Sequence, residues 1–451
     1  MLAGVSEPDS YLSDNAEDAR MRICLFDDRR TADLGPLTLT RPASDLLCGL
    51  TSLGEKQTRY FGAGVVGRVC RPVLADWLQA RDPFTPANDP DWLRSGPTIL
   101  VNSRWLAPSQ PTRLAGAEVI GNGPAIGMCV GEVAYAVLDT RHLRALAPTT
   151  LDDCLADWSL SLPTNEAGGK MIRYPWELVD YNPDQIRADF DAIRPPTGAG
   201  PLPPGFALVG PADRLFLHAS ARIDPMVVAD TTNGPIWVGP GAVVGAFTRL
   251  EGPCVIGAGT HLLGAKVRAG TTLGPHCRIG GEVECSIVQG YSNKYHDGFL
   301  GHSYVGEWVN IAAGTSTGDL RCDYQPISVR LGGEVIPTGR VKVGSVIGDH
   351  TRTGLGVLLN CGTVIGAFAS LLPTGQLAPR DIPSFARFGP TGLSIDPNID
   401  AALTTAGVVM QRRGRELTPE LRAVYRAIAS LKAPERLPTP VHTEAGWRKS
   451  A

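Results

Sequence analysis

The sequence predicts an α/β domain over residues 21–193, a left-handed parallel β-helix over residues 206–390 and a helical tail over residues 391–451. In the first part, short apolar runs alternate with helix-like stretches, and in the second, aliphatic residues recur every six positions. The chain has 451 residues, roughly two to three times the length of a typical domain, which also favours more than one folded unit.

The composition is that of an ordinary soluble globular protein. The formal net charge is −3 and 43% of the residues are hydrophobic, so the chain lacks the basic excess typical of nucleic-acid-binding proteins. Its 10 cysteines form no CxxC pair, which predicts reduced thiols and neither disulfides nor zinc ligands. No apolar run reaches the ~18 residues of a spanning helix, and no signal pattern is present. We therefore expect a cytoplasmic protein without membrane or nucleic-acid partners.

The first half has the features of alternating strands and helices. Residues 1–20 are acidic and without periodicity, which predicts a disordered tail. Asn182 followed by Pro183 predicts a helix start, because asparagine caps helices and proline suits the first turn. Residues 194–205, rich in proline and glycine, predict a linker. Apolar runs that predict strands are Arg22–Phe26, Val65–Cys70, Thr98–Val101, Ala117–Ile120 and Tyr135–Leu138.

The second half is organised by its six-residue period, which fits neither an α-helix nor a flat strand. Each hexapeptide is therefore predicted to form one side of a triangular coil, with its aliphatic residue inside. Residues Ser316–Gly339 break the period and predict a long loop. The predicted inward positions are Val238, Val244, Leu250, Ile256, Leu262, Val267, Leu273, Ile279, Phe299, Val305, Ile311, Val341, Ile347, Thr353, Leu359, Ile365 and Leu371.

A capped helix is predicted after the coil. Thr418 is its cap, and Pro419 and Glu420 stand in its first turn. An isolated amphipathic helix needs a partner, so we expect it to pack on the coil or on a neighbouring subunit. Its apolar face is formed by Leu421, Val424, Tyr425, Ile428 and Leu431.

The segment from His296 to Thr315 carries the strongest functional signal and reads HDGFLGHSYVGEWVNIAAGT. It resembles the acetyltransferase half of the GlmU family of bifunctional uridyltransferases and acetyltransferases, in which a histidine precedes an LG turn and an NIGAGT segment. The resemblance implies that His296 is a general base, that Asn310 lies in the site and that Ala313 contacts acetyl-CoA. An imidazole suits this role because its pKa lies near neutrality.

The same resemblance assigns two substrate-phosphate residues and leaves the acceptor open. Arg268 matches the family's phosphate-binding arginine, and Lys294 is a stand-in for its lysine. Two positions differ: Phe299 replaces a site tyrosine, and Asp319 falls on a site asparagine. His296 and Arg268 could instead be surface residues, and Asn310 could stack inside the coil. His302 is a weaker candidate for the base. The acceptor is therefore left open between sugar phosphates and nucleotide sugars.

The α/β domain resembles the sugar-phosphate nucleotidyltransferases, a Rossmann-like fold, through PLTLTRP at residues 36–42. Arg29, Arg41 and Lys56, together with Arg30, could supply positive charge to a nucleotide triphosphate. The preceding loop, FDDRRTADLG, lacks the glycines that let backbone amides approach phosphates. No acidic pair occurs at Ile99–Arg104, so no metal ligands are predicted, and Mg²⁺ is expected only if this domain is active.

Together these features predict a transferase. The leading function is acyl transfer from acetyl-CoA to a sugar phosphate or nucleotide sugar by the coil, fused to a nucleotidyltransferase-like domain. The resemblance also implies a homotrimer with its site at a subunit seam. Two alternatives stay open: a nucleotidyltransferase with an inactive coil, and a non-catalytic scaffold that binds sugar nucleotides.

Overall fold

The computed structural model describes residues 22–109, 123–144, 146–193, 202–395 and 398–431. Four sequence-based predictions fall wholly or mostly elsewhere. The tail of residues 1–20, the run Ala117–Ile120, most of the linker and residues 432–451 lie outside the described part of the chain.

The first domain is built on a six-stranded mixed sheet in the order β4-β1-β5-β8-β7-β9. Strand β1 runs parallel to β4 and β5, and β8 is antiparallel to β5 and β7. The strands are β1 Arg22–Phe26, β2 Leu47–Cys48, β3 Thr51–Ser52, β4 Val65–Val69, β5 Thr98–Asn102, β6 Trp105–Leu106, β7 Ala125–Cys129, β8 Glu132–Leu138, β9 Thr164–Glu166 and β10 Lys170–Met171.

Helices cover this sheet, as the alternating pattern predicts. The last four residues of strand β1 are all buried, although successive side chains of a strand point to opposite faces of the sheet. Both faces of the sheet are therefore covered by apolar residues. The predicted α/β domain is therefore confirmed. Its helices are α1 Leu53–Phe61, α2 Pro72–Arg81, α3 Pro90–Arg94, α4 Thr140–Leu143, α5 Leu151–Ser161 and α6 Pro175–Ile193.

The second half folds as the predicted parallel β-solenoid with three walls. Walls one and two meet at the first corner, walls two and three at the second, and walls three and one at the third. The strands of wall one are Leu215–Leu217, Ile236–Val238, Cys254–Ile256, Thr271–Leu273, Ile287–Gly290, Tyr304–Glu307, Val346–Ile347, Val364–Ile365 and Asp381–Ile382.

The other two walls share two long strands, His261–Val267 and Arg278–Glu284, which bend from wall two into wall three. The other strands of wall two are Arg222–Ile223, Val243–Val244, Asn293–Lys294, Arg352–Thr353, Ser370–Leu371 and Ala386–Gly389, the last paired with Gly392–Ile395. The other strands of wall three are Ala207–Val209, Val228–Asp230, Arg249–Glu251, Phe299–Gly301, Ser316–Thr317 and Leu358–Leu359.

The six-residue register is confirmed at most of its positions, because the inward residues of successive turns stack into one apolar core. Two positions were wrong. Phe299 is only half-buried, and its neighbour Leu300 enters the core, where it pairs with Val283 of the adjacent turn. Val341 is 44% exposed because it follows the segment that leaves the coil.

Six rings stack along the first corner and form what we call the aromatic column. Their centroids are 4.3–6.2 Å apart between neighbours. Each residue has a positive φ, a conformation that strains side chains other than glycine. This backbone turns the rings outwards, so the corner presents a continuous apolar surface. The column consists of His276, Tyr291, Trp308, His350, Phe368 and Phe385.

Two C-terminal helices, α7 Ile399–Gln411 and α8 Pro419–Ser430, pack on the aromatic column and on α2. Thr418 caps α8 through a 3.3 Å bond from the Leu421 amide, as its sequence predicts. Tyr425 meets His350 through a 3.0 Å bond between its hydroxyl and the ring Nε2. Leu431, predicted on the same face, is 56% exposed because it lies beyond the last helical turn.

The segment that breaks the period forms a hairpin outside the coil, with strands Ile327–Leu331 and Glu334–Arg340. Its apolar side packs against α6, where Ile327 and Val329 join the cluster that holds Trp176. The loop therefore connects the coil to the first domain.

Helix α6 joins the two domains, and its predicted start at Asn182 was wrong. The helix begins at Pro175 and continues through Pro183, because its buried face extends along its whole length. Asn182 is fully buried and caps nothing. Its Oδ1 accepts from the Gly49 amide at 2.6 Å and from the Thr272 hydroxyl at 3.1 Å, and its Nδ2 donates to the Gly270 carbonyl at 2.8 Å.

Replacing Asn182 by alanine tests this junction. The change leaves the Gly49 amide and the Gly270 carbonyl buried without this partner, so we expect the free energy of unfolding to fall by about 2–3 kcal/mol. Chemical denaturation measures it, and Asn233→Ala on the exposed surface is the matched control, expected to change it by less than about 0.5 kcal/mol. Equal effects of the two substitutions would contradict the role of Asn182.

Candidate functional site

His296 lies at the second corner of the coil, where its side chain is exposed in the single chain. Its ring packs edge-on against Tyr295, with 6.0 Å between centroids. The corner is held by backbone bonds to the next turn, including one from the Gly314 amide to the Asp297 carbonyl at 2.8 Å. The predicted base is thus presented by a well-connected turn.

A constant offset of 17 residues relates this turn to the next one. It pairs Asn293 with Asn310 and recurs three residues beyond His296, between Phe299 and Ser316. The same offset places His296 beside Ala313. Asn310 is exposed on the wall that leads into this corner, and its Oδ1 is 3.5 Å from the Asn293 amide nitrogen. The structure therefore brings His296, Asn310 and Ala313 to one edge of two adjacent turns.

Lys294 does not face this edge, and its prediction as a phosphate ligand conflicts with its orientation. It pairs with Ile279 at an inward position and is 3% exposed. Its ammonium donates to the carbonyls of Gly280 at 2.9 Å and His296 at 3.2 Å. Burial lowers the pKa of this ammonium to about 8. Lys294 therefore supports the turn that carries His296, and its ammonium points into the coil.

Arg268 is separated from His296 because it lies at the third corner. Its guanidinium is surrounded by carboxylates, at 3.2 Å from Glu282, 3.5 Å from Glu251 and 3.8 Å from Glu284. A phosphate here would meet three negative charges. The placement argues against Arg268 as the phosphate ligand of the His296 site within one chain.

The predicted nucleotide-binding cations do not converge either. Arg41 is buried against the coil, where it pairs with Asp349 and with Glu307 at 3.3 Å. Lys56 is buried against Asp189 of α6, to which the Leu50 amide also donates at 2.9 Å. These partners fix Arg41 and Lys56 as interdomain and interhelical links, and they already neutralise both cations.

Arg29 and Arg30 remain at the surface. The Arg29 guanidinium lies 3.5 Å from Asp152 and is 72% exposed, and that of Arg30 lies 3.0 Å from Glu132. Both belong to a 3₁₀ turn after β1, which Asp28 caps through a 3.1 Å bond from the Thr31 amide. Hydrogen bonds within this short polar loop hold it in a 3₁₀ turn. It does not form the open loop of backbone amides with which glycine-rich segments bind phosphates.

An arginine-centred cluster occupies the carboxyl end of the sheet, and sequence reasoning missed it. Arg104 is fully buried after β5 and binds both oxygens of Asp28, at 2.8 and 2.6 Å, and Glu132 at 2.7 Å. Burial would raise the pKa of both carboxyls, but hydrogen bonds from Arg104 outweigh it and hold each pKa below its usual range. Asp28 follows β1 by two residues and Glu132 begins β8, so only the fold brings them together.

This cluster does not fit a magnesium ion. Mg²⁺ prefers free carboxylate oxygens and water in an octahedron, whereas the guanidinium of Arg104 already neutralises Asp28 and Glu132. Over the described ranges, no group of three or more acidic, histidine or cysteine side chains could hold a metal. No step through a metal is therefore derived.

A cleft of about 660 Å³ opens between the first domain, the aromatic column and the C-terminal helices. Arg41, Tyr291, Trp308 and Arg415 are among its lining residues. Its size suits a small molecule, but it lies at the first corner and His296 at the second. The cleft and the predicted base are therefore separate features.

Comparisons with known proteins give one family match and several relatives. Residues 23–195 match the family described as sugar nucleotidyl transferase. A bifunctional sugar-1-phosphate nucleotidylyltransferase/acetyltransferase of Sulfurisphaera tokodaii is 38% identical over 107 residues, which cover 23% of this chain and 26% of that protein. A bifunctional protein GlmU of Methanococcus vannielii is 31% identical over 120 residues, 26% of this chain and 28% of that protein. The chain thus matches only about a quarter of the length of these two relatives.

A third relative is matched over most of its length. The uncharacterized acetyltransferase YaiX of Escherichia coli O6:K15:H31 is 29% identical over 215 residues, 45% of this chain and 91% of that protein. A crystal structure of the polysialic acid O-acetyltransferase OatWY covers 42% of this chain and 87% of that chain, at 12% identity and a TM-score of 0.22. The relatives confirm the predicted resemblance to GlmU-related proteins.

Within the ranges that the structure describes, no helix has the length and apolar character required to cross a bilayer.

The orientation of Lys294 can be tested by amine labelling of the native chain. Reaction of a buried ammonium requires local opening, so a soluble acylating reagent should modify Lys294 at least about tenfold more slowly than the exposed Lys266. Peptide mass spectrometry gives both rates in one sample. In denaturant the two rates should converge. Faster labelling of Lys294 in the native chain would instead indicate a solvent-facing phosphate ligand.

Proposed function

We propose that the coil transfers an acetyl group from acetyl-CoA to a sugar phosphate or nucleotide sugar. One observation carries this proposal: His296, Asn310 and Ala313 stand on adjacent turns at one edge, in the arrangement that the GlmU resemblance implies. Named acetyltransferases among the relatives support the reaction class.

The residues at this edge suit acyl transfer. Acetyl-CoA supplies the thioester that is attacked. His296 accepts the proton of the acceptor hydroxyl or amine as the new bond to the acyl carbon forms, and returns it to the departing thiol. Asn310 offers an amide donor and acceptor next to this edge. The small side chain of Ala313 leaves room for the donor beside the imidazole.

We also propose that the active form is a homotrimer. His296 is exposed in the single chain, and a neighbouring subunit at the second corner would enclose it. A cytoplasmic location is part of the same proposal. It is supported by the cysteines, all of which are free thiols, as in a reducing compartment.

A second candidate function belongs to the first domain, which we propose binds a sugar nucleotide. The match of residues 23–195 to sugar nucleotidyl transferases favours it. Since Arg104 already pairs with Asp28 and Glu132, this binding is proposed without a magnesium step. Catalytic nucleotidyl transfer would require these carboxylates to leave the arginine.

Substitution of His296 by alanine tests acetyl transfer. With the full chain, acetyl-CoA and a panel of amino sugars, sugar phosphates and nucleotide sugars, the rate of thiol release should fall by about 10²–10⁴-fold, the contribution of a general base. His218→Ala on an earlier turn of the coil is the matched control and should retain the rate. Undiminished release by the His296 variant, or none by the wild type, would favour a scaffold.

Nucleotide binding is tested by thermal stability. A nucleotide sugar should raise the melting temperature of the chain, and EDTA should leave the rise unchanged because Arg104 occupies the carboxylates. Pyrophosphate release from UTP or dTTP with sugar-1-phosphates then separates catalysis from binding. Stabilisation that appears only with Mg²⁺ would show that the cluster rearranges around the metal.

A further inference from the structure

Three chemically matched residues stack along the third corner of the coil. The 17-residue offset that relates Ser286 to Ser303 also relates Cys285 to His302, and His302 to Asp319. Three successive turns therefore present a thiol, an imidazole and a carboxylate in that order. We call these residues the Cys285 column.

Neighbouring turns bring the members of this column together. His302 Nδ1 is 2.7 Å from Asp319 Oδ2. Cys285 lies on the adjacent turn, where Glu284 pairs with Gly301 and accepts from the His302 amide. A nucleophile next to a base, with the base oriented by a third group, is the arrangement of nucleophilic triads. The three residues are far apart along the chain, but the coil places them on successive turns, where they are neighbours in space.

The backbone also holds this geometry under strain. Cys285 and His302 have φ values of 42° and 45°, although neither is a glycine. Gly270, on the turn before Cys285, leaves the space that the sulfur fills, since a Cβ there would lie 3.2 Å from Sγ. The residues of the aromatic column have the same conformation, so it belongs to the corners of the coil, where it sets the direction of the side chains.

The column is sheltered but accessible. The side chains of His302 and Asp319 are 17% and 13% exposed, and Cys285 is half-buried beside the apolar seam of α6. Most other cysteines of the chain are buried. Cys285 therefore combines a partner base with a route for a reagent.

The ring of His302 is the cation of this column. Burial would lower the pKa of His302, but the hydrogen bond with Asp319 and the neighbouring Cys285 raise it to about 9. At neutral pH the ring is thus an imidazolium on the turn next to Cys285. Lys342 adds positive charge near Asp319, partly balanced by Glu284 at 3.5 Å from its ammonium.

We propose that Cys285 is a nucleophile that accepts an acyl group from a thioester, with His302 as its proton partner and Asp319 as the residue that orients the ring. The donor class, a coenzyme A thioester, rests on the proposed function. The site itself does not, because it lies at the third corner and shares no residue with the edge of His296.

The step balances without an added oxidant or metal. The Cys285 sulfur, whose proton rests on His302, attacks the acyl carbon and forms a new thioester bond. The bond between that carbon and the coenzyme sulfur breaks, and the departing thiolate takes the proton from the imidazolium. The products are an S-acyl Cys285, a free thiol and a neutral imidazole.

Acetyl-CoA given to the full chain without an acceptor tests this step. After an acid quench, peptide mass spectrometry should find an acetyl group on Cys285 as a thioester that hydroxylamine removes. Cys285→Ser should abolish the labile mark, and His302→Gln and Asp319→Asn should slow its formation by at least about tenfold. The exposed Cys322 is the internal reference for acetylation without catalysis.

Two further measurements separate chemistry from structure. Iodoacetamide should alkylate Cys285 faster than Cys322 at pH 7, and this preference should disappear in Asp319→Asn, which preserves the shape of the side chain. Melting temperatures report whether the variants fold. If His302→Gln does not fold, the Asp319 variant carries the test alone.

The outcomes are distinct from those of the His296 experiment. In His296→Ala, acetylation of Cys285 should persist at the wild-type rate, whatever happens to transfer onto sugars. No acetyl group on Cys285, or rates that match those of Cys322 or ignore His302 and Asp319, would overturn the proposal. Alkylation without acetylation would overturn it too, and would identify a reactive thiol with no role in acyl transfer.

Discussion

The repeat of the coil is the constraint on which the rest of the structure depends. Because each turn pairs in parallel with the next, a residue at one position lies directly against its counterparts above and below. Similar residues therefore collect into columns: aliphatic ones inside, aromatic ones at the first corner, and polar or reactive ones at the other two. Chemistry that a globular enzyme gathers from distant loops is here gathered from neighbouring turns.

The same columns hold the domains together. The aromatic column is the surface on which the C-terminal helices and α2 pack. Burial lowers the pKa of its His350 to about 3, so this ring stays neutral and stacks like the others. At the first corner Arg41 enters from the first domain and pairs with Asp349, while Asn182 bonds to the turn at Gly270. The first domain thus uses polar residues on the coil, which explains why Arg41, a predicted nucleotide-binding cation, is already paired.

The sequence predicted those features that follow from a local repeat of apolar residues. It did not predict contacts between segments that are far apart along the chain. The inward register and the apolar face of α8 follow from local spacing. The inward position of Lys294 was not visible in the sequence, because the turn between Ile279 and Lys294 is shorter than its neighbours. The pairing of Arg41 with Asp349 joins residues 308 positions apart, and no pattern along the chain indicates it. The sequence indicated His302 and Asp319 separately but not their connection with Cys285, because the three residues form no local motif. Their equal spacing is visible once the period is known.

Placing reactive groups on a repeat has a physical consequence for their evolution. Backbone pairing between turns fixes the position of each residue in a column. A substitution at such a position therefore places the new side chain next to its neighbours on the adjacent turns without any change in a loop. The two candidate centres follow this rule, with His296 beside Ala313 at the second corner and His302 between Cys285 and Asp319 at the third. Whether a position at a corner becomes reactive then depends on its neighbours. At the third corner, three carboxylates neutralise the charge of Arg268, whereas on later turns of the same corner Asp319 raises the pKa of His302. The coil supplies the geometry at every corner, and the local balance of charge decides which position along it can act.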